Sequence, residues 1–316
     1  MQISGGVVLS GGVNLAPGSG GSSGGGGFQG SNYGYTSGGW FNNVNNIIDK
    51  FSFASDGNAS DVGDLTASLR RTSGNSSSTD GYVVGGQGSS NIQKFSFSSD
   101  GNASNVGTQS FQRYGTAGQS STTHGYTTGG FNPGALDIID KFPFASDGTA
   151  TDVGDLTVSR AYCVGVSSAT LGYSCGGNVR PASPNSNNTI DKFPFSSDSN
   201  ATDVGDLSSN GPQGKSGQNS STHGFASGGE DDAGTRISAI EQFSFSTDGN
   251  ATDVGNLSNN VAKGAGTSST ISGYHAGGLL VGRVSAIEKF SFSDASTTTN
   301  VGSLTLARSS TSSQQY

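Results

Sequence analysis

The side chains suited to chemistry in this chain gather in a few irregular segments between its regular ones. Trp40 and Phe41 open Trp40-Phe-Asn-Asn-Val-Asn-Asn46, and Phe131 and Asn132 open Phe131-Asn-Pro-Gly-Ala135. An aromatic face beside amide groups suits stacking on a sugar ring with hydrogen bonds to its hydroxyls. Arg236 ends a third such segment, Glu230-Asp-Asp-Ala-Gly-Thr-Arg236. Trp40, Phe41, Phe131, Asn132 and Arg236 are therefore the candidate binding residues. The carboxylates of Glu230, Asp231 and Asp232 are of the type that holds a hard cation. They lack the spaced ligands of a calcium loop and read as a solvated turn.

Catalytic sets are harder to assemble. His124 and His223 occupy equivalent places before a Gly-Tyr or Gly-Phe pair, where Asp80 stands in another copy of the same pattern. They read as turn residues on separate structural units. His275 follows Tyr274 inside a strand-like segment and reads as packed. No Gly-x-Ser-x-Gly sequence places a nucleophile on a sharp turn. The aspartates of Asp-Val-Gly recur at Asp61, Asp152, Asp203 and Asp253, with Asn105 and Asn300 in the other copies. Such recurrence indicates a hydrogen bond at a turn or strand end rather than an active site. Cys163 and Cys175 have no C-x-x-C partner and read as two buried thiols or a local disulfide, which spacing does not decide. The expectation is no enzyme, no catalytic residue, no metal and no cofactor.

The elements that carry these residues are repeats. Gly-Tyr/Phe-x-x-Gly-Gly begins at Gly34, Gly81, Gly125, Gly172, Gly224 and Gly273, at steps of 47, 44, 47, 52 and 49 residues. Each copy is followed by a second motif, from Ile48-Asp-Lys-Phe-Ser-Phe53 to Ile287-Glu-Lys-Phe-Ser-Phe292. Within one copy, Gly74–Thr79 reads as a small polar strand, Thr79–Gly81 as a turn and Tyr82–Gly86 as a second strand. Ile92–Phe97, with aromatics at period two, is a third, and a fourth begins at Ser104. Four short antiparallel strands at this period match a propeller blade. The prediction is an all-β, six-bladed propeller over 31–316, preceded by a Gly/Ser-rich arm over 1–30.

The chain has 316 residues, of which 53 are glycine, and only 30% are hydrophobic. Without the period this composition would suggest disorder. The net charge of −8 argues against nucleic acid and anionic lipid as partners, and no apolar run reaches membrane-spanning length. No secretory signal is evident at Met1-Gln-Ile-Ser-Gly-Gly.

The strand order, with Gly-Gly ending the second strand and aromatics in the third, resembles kelch-type propellers from about Tyr33 onward. The tryptophan typical of the fourth kelch strand is absent. Kelch-like folds include a copper radical oxidase, whose chemistry needs a tyrosine, histidine and cysteine set that three scattered histidines do not supply. The string Lys-Phe-Ser-Phe-Ala-Ser-Asp-Gly-Asn-Ala, with Thr-His-Gly-Tyr-Thr nearby, resembles repeats in structural proteins of tailed phages, especially those of marine cyanobacteria. The resemblance implies a non-enzymatic virion protein, a tail or capsid accessory assembled in the host cytoplasm. Its implied partners are other virion proteins and a host-surface glycan. The alternatives are a carbohydrate-binding propeller outside a virion and a propeller-based glycan hydrolase or lyase. An aromatic cleft on the variable loops would favour the former. Clustered charge at the channel mouth would favour the latter.

Two features concern the ends. Ile3, Val7 and Leu9 give the arm enough apolar character to dock as an added strand on a neighbouring subunit. The segment from Leu304 resembles the start of a seventh repeat, so either it or Gly25–Ser31 supplies the strand that completes the first blade.

Overall fold

The computed structural model describes residues 30–180, 186–208, 212–231 and 233–316. Ile3, Val7, Leu9 and Asp232 lie outside them. Among the described residues there is no helix. Six four-stranded antiparallel sheets form the blades of a propeller. Blade 3 is typical, running from inner to outer edge as Ala117–Ser120, His124–Thr128, Ile138–Pro143 and Thr151–Asp155.

Blade 1 is made from both ends of the ring. Ser312–Gln315 supplies its inner strand, pairing with Tyr33–Ser37 from Gly34↔Gln315 to Ser37↔Ser312. The C-terminal segment therefore closes the ring, and Gly25–Ser31 does not supply that strand. The turn before each second strand also differs from expectation. Asp80 and Gly81 already belong to the strand Asp80–Val84. The reversal lies at Ser77–Thr79, where the Ser77 hydroxyl accepts hydrogen bonds from the amides of Thr79 and Asp80 at 3.2 and 2.9 Å. Ser121 does the same for Thr123 and His124. A serine that caps two amides removes the need for Asp-Gly to form the turn. His124 and His223 accordingly open strands rather than sit in turns.

The two repeat motifs interlock between blades. The Tyr82 ring of blade 2 stacks on Phe144 of blade 3 at 4.8 Å and meets Phe142 at 5.6 Å. The same contact joins Tyr35 to Phe95 and Phe97, Tyr126 to Phe193 and Phe195, and Tyr173 to Phe243 and Phe245. Phe225 meets Phe290 and Phe292 in the same way, and Tyr274 meets Phe51 and Phe53 across the closure. Each pair gains about 0.5–1.5 kcal/mol beyond simple burial. The glycine before each tyrosine has a steric cause. Gly125 pairs with Phe142 on the next strand, whose ring lies across it where a Cβ would stand.

Toward the axis the inner strands crowd together. A Cβ on Gly118 would meet the carbonyl of Gly74, and one on Gly165 the carbonyl of Gly118. Polar side chains there reach into the next blade: Gln119 donates to the Tyr173 carbonyl at 3.0 Å, and Gln314 to the Tyr82 carbonyl at 3.0 Å. The low hydrophobic content of these strands thus follows from packing that uses hydrogen bonds and backbone contact.

Candidate functional site

Both glycines of each Gly-Gly pair have positive φ, as at Gly129 (63°) and Gly130 (118°), which glycine adopts without strain. This bends the chain out of the second strand onto one face of the ring. The next residue bridges to the connection between blades: Trp40↔Ser309, Tyr114↔Phe131, Ala161↔Asn178, Gln213↔Glu230 and Ala262↔Leu279. Trp40, Phe131 and Glu230 therefore share a face, the one that carries the variable loops.

One residue further along each connection, six backbones close a circle. Arg71 N–H donates to the Ser310 carbonyl, Gly115 to Arg71, Tyr162 to Gly115, Gly214 to Tyr162, Lys263 to Gly214 and Ser310 to Lys263. The distances lie between 2.7 and 3.1 Å. All six residues are left-handed, with φ from 58° to 66°. Two are glycine, as that conformation favours. Arg71, Tyr162, Lys263 and Ser310 are not, and a side chain there costs about 1 kcal/mol.

These six residues rim a cavity of about 490 Å³ at the mouth of the central channel. Trp40, Arg70, Arg180, Glu230 and Arg283 also line it. Trp40 carries the Arg70 guanidinium 3.9 Å from its ring centroid, with that of Arg283 at 5.6 Å. Arg71 lies 5.4 Å from the Tyr114 ring and 5.5 Å from that of Tyr162. Such contacts hold a guanidinium in place without neutralising it. Burial first, and then the charges of Arg71 and Arg283, push the Arg70 pKa down. None of Arg70, Arg71, Arg180 and Arg283 takes part in an ion pair among the described residues.

The expected binding residues divide. Trp40 lines the cavity, but its ring is occupied by arginine rather than open to a sugar. Phe41 is exposed on the two-residue strand Trp40–Phe41 and does not line the cavity. Phe131 packs on Tyr114 at 5.6 Å, behind the mouth. Asn132 donates to the Gln112 carbonyl at 2.7 Å and fastens its own loop. Arg236 sits 3.9 Å from Glu230, which also binds Lys263. Asp231 accepts the Thr235 amide at 2.7 Å. These two carboxylates are thus engaged by neighbours. The Asp-Val-Gly aspartates serve as expected, with Asp203 accepting the Gly205 amide at 3.1 Å. Cys163 and Cys175 are free, buried thiols.

The arginines escaped the sequence reading, although one signal pointed to them. Arg71, Gly115, Tyr162, Gly214, Lys263 and Ser310 occupy one column of the repeat, and its glycines mark a left-handed position. The buried acid of the third strand was also missed. In blades 1, 3 and 4 it forms an ion pair with both side chains fully buried: Asp49 with Arg308, Asp140 with Arg113 and Asp191 with Arg160. Blade 5 uses Glu241 with Lys215.

Blade 6 differs, because His275 stands opposite Glu288 where blade 4 has Ser174 opposite Asp191. His275 is 2% exposed, its Nδ1 lies 3.2 Å from the Ser227 hydroxyl, and its Nε2 has no hydrogen-bond partner. Burial lowers its pKa from 6.5 to about 4. The fold therefore favours the neutral ring. Its contribution is complete above pH 6.5 and is lost as pH falls from there toward 4. Between pH 7 and pH 5 the loss should be about 2 kcal/mol. Urea titrations at both pH values should show that loss in the native chain and a smaller one in His275→Ser. Equal losses would place the pH sensitivity elsewhere.

No protein-family model matches the chain, and no curated protein matches it. Among solved structures, one described as "Structure of YjhT" matches with a TM-score of 0.66 at 14% sequence identity, covering 78% of this chain and 88% of that one. At that identity the likeness concerns the fold, and it agrees with six four-stranded sheets closed into a propeller.

Proposed function

We propose that this chain is a non-enzymatic recognition propeller, in the phage-virion setting that its repeats resemble, and that it holds a host-surface glycan at the channel mouth. The observation that carries the reading is the cavity of about 490 Å³ framed by variable loops and rimmed by side chains in left-handed positions. Strain accepted at a rim is usual where side chains serve a ligand rather than the fold. Charge does gather at the mouth, the feature that would favour a hydrolase or lyase, but its carboxylates Glu230 and Asp231 are engaged by neighbouring groups, which supports binding over acid–base catalysis there.

Trp40→Ala should test this reading, because Trp40 is half-buried and supports Arg70 and Arg283 without joining the aromatic interlock. Binding to cyanobacterial cells and to a glycan array should fall about tenfold, while the thermal midpoint changes little. Undiminished binding in the variant, or none by the native chain, would remove the mouth from consideration as a recognition site.

A further inference from the structure

The mouth has a charge opposite to that of the molecule. The chain carries a net −8, yet four arginines that form no ion pair among the described residues converge on one cavity, whose lining carboxylates Glu230 and Asp231 are engaged elsewhere. They come from different places along the ring: Arg70 and Arg71 before blade 2, Arg180 in the blade 4 loop and Arg283 in blade 6. Like charges gathered in a recess repel one another, and a recess with low-dielectric walls strengthens that field. Surface charges without a task would spread out. Here the aromatic rings of Trp40, Tyr114 and Tyr162 keep the guanidinium groups of Arg70, Arg71 and Arg283 in place. The Nε of Arg283 is buried without a hydrogen-bond partner. Arg71 moreover occupies a left-handed position that glycine fills at Gly115 and Gly214. The backbone conformation there gives no reason for an arginine.

We propose that the ligand at this mouth is an acidic saccharide, whose carboxylate or sulfate is gripped by Arg71 and Arg180 while Arg70 and Arg283 border its sugar ring. A planar guanidinium pairs with two oxygens of such a group at once, which lysine cannot do. The cavity volume suits one or two sugar units. This inference rests on the recognition reading above and adds the charge of the ligand to it.

Calorimetric titration of the full chain with glucuronate, glucose 6-sulfate, glucose and inorganic sulfate provides the test. The two acidic sugars should bind, glucose should bind at least about tenfold more weakly, and raising the salt concentration should weaken the acidic sugars alone. Preference for glucuronate or for glucose 6-sulfate identifies the acidic group. Arg71→Gly should lose about tenfold in affinity for the acidic sugars. Its thermal midpoint should stay the same or rise, because glycine relieves the left-handed strain, so lost binding is not lost folding. Arg180→Ala should lose affinity similarly. Equal affinity for glucose, sulfate binding as tight as either acidic sugar, or unchanged affinity in Arg71→Gly would overturn the proposal. If neutral glycans bind and Trp40→Ala removes that binding, the recognition reading stands and the acidic ligand falls. If no glycan binds, both fall.

Discussion

Arg113→Leu should destabilise the propeller by about 3–5 kcal/mol, because it leaves a buried carboxylate without its cation. Arg113 and Asp140 are fully buried and 2.8 Å apart. Arg113 Nε also donates to the Gly129 carbonyl at 2.8 Å, so the carbonyl loses its donor as well. Blade 2 suggests the remedy. At the equivalent positions it has Leu69 and Gln93, and Gln93 accepts the Thr66 amide at 2.7 Å much as Asp140 accepts the Ser110 amide at 3.0 Å. Adding Asp140→Gln to Arg113→Leu should therefore recover about 2 kcal/mol or more, a coupling that a double-mutant cycle isolates. Urea denaturation of the native chain, both single variants and the double variant measures it. If the double variant is as unstable as Arg113→Leu, the buried charge is not what the arginine serves.

A comparable loss is expected from Phe193→Ala. This side chain is 2% exposed, its ring crosses Gly172, and it meets Tyr126 of the preceding blade at 5.5 Å. Gly172 has no side chain with which to fill the space, so the cavity would persist and the cost should be about 3–5 kcal/mol. Lys192→Ala, on the adjacent residue, gives the contrast. Its ion pair with Asp248 lies at the surface, where such pairs contribute about 0–1 kcal/mol. Thermal melts should separate the two variants widely, with Phe193→Ala also losing soluble yield. Similar midpoints would mean that the aromatic interlock is not the main source of cohesion between blades.

The propeller was legible because six copies of two motifs kept their offsets, so errors in reading any one copy did not matter. Gly81, Tyr82 and Phe95 could be recognised as structural before their contact was known. The turn before Asp80 was misplaced by a few residues because a serine cap resembles loop composition. The mouth was harder to read. Trp40 stood out as the single tryptophan, but Arg70, Arg71, Arg180 and Arg283 are brought together only by ring closure, and a net charge of −8 hides a local positive field. The buried third-strand pairs were obscured by their variation. Asp49, Gln93, Asp140, Asp191, Glu241 and Glu288 occupy one column, and their partners change with them or are lost.

That variation lets the chain count its blades. Every tyrosine or phenylalanine of the interlock could accept every Phe-x-Phe pair, so the aromatic contacts alone do not distinguish a ring of six from a ring of five. The closing segment carries Arg308, whose buried carboxylate is Asp49 of blade 1. A ring that left out blade 1 and closed on blade 2 would put Arg308 in the place of Leu69, against Gln93 rather than a carboxylate. The stranded guanidinium would cost several kcal/mol, enough to make the five-membered closure a rare error. One ion pair at the seam thus weighs against closure on the neighbouring blade.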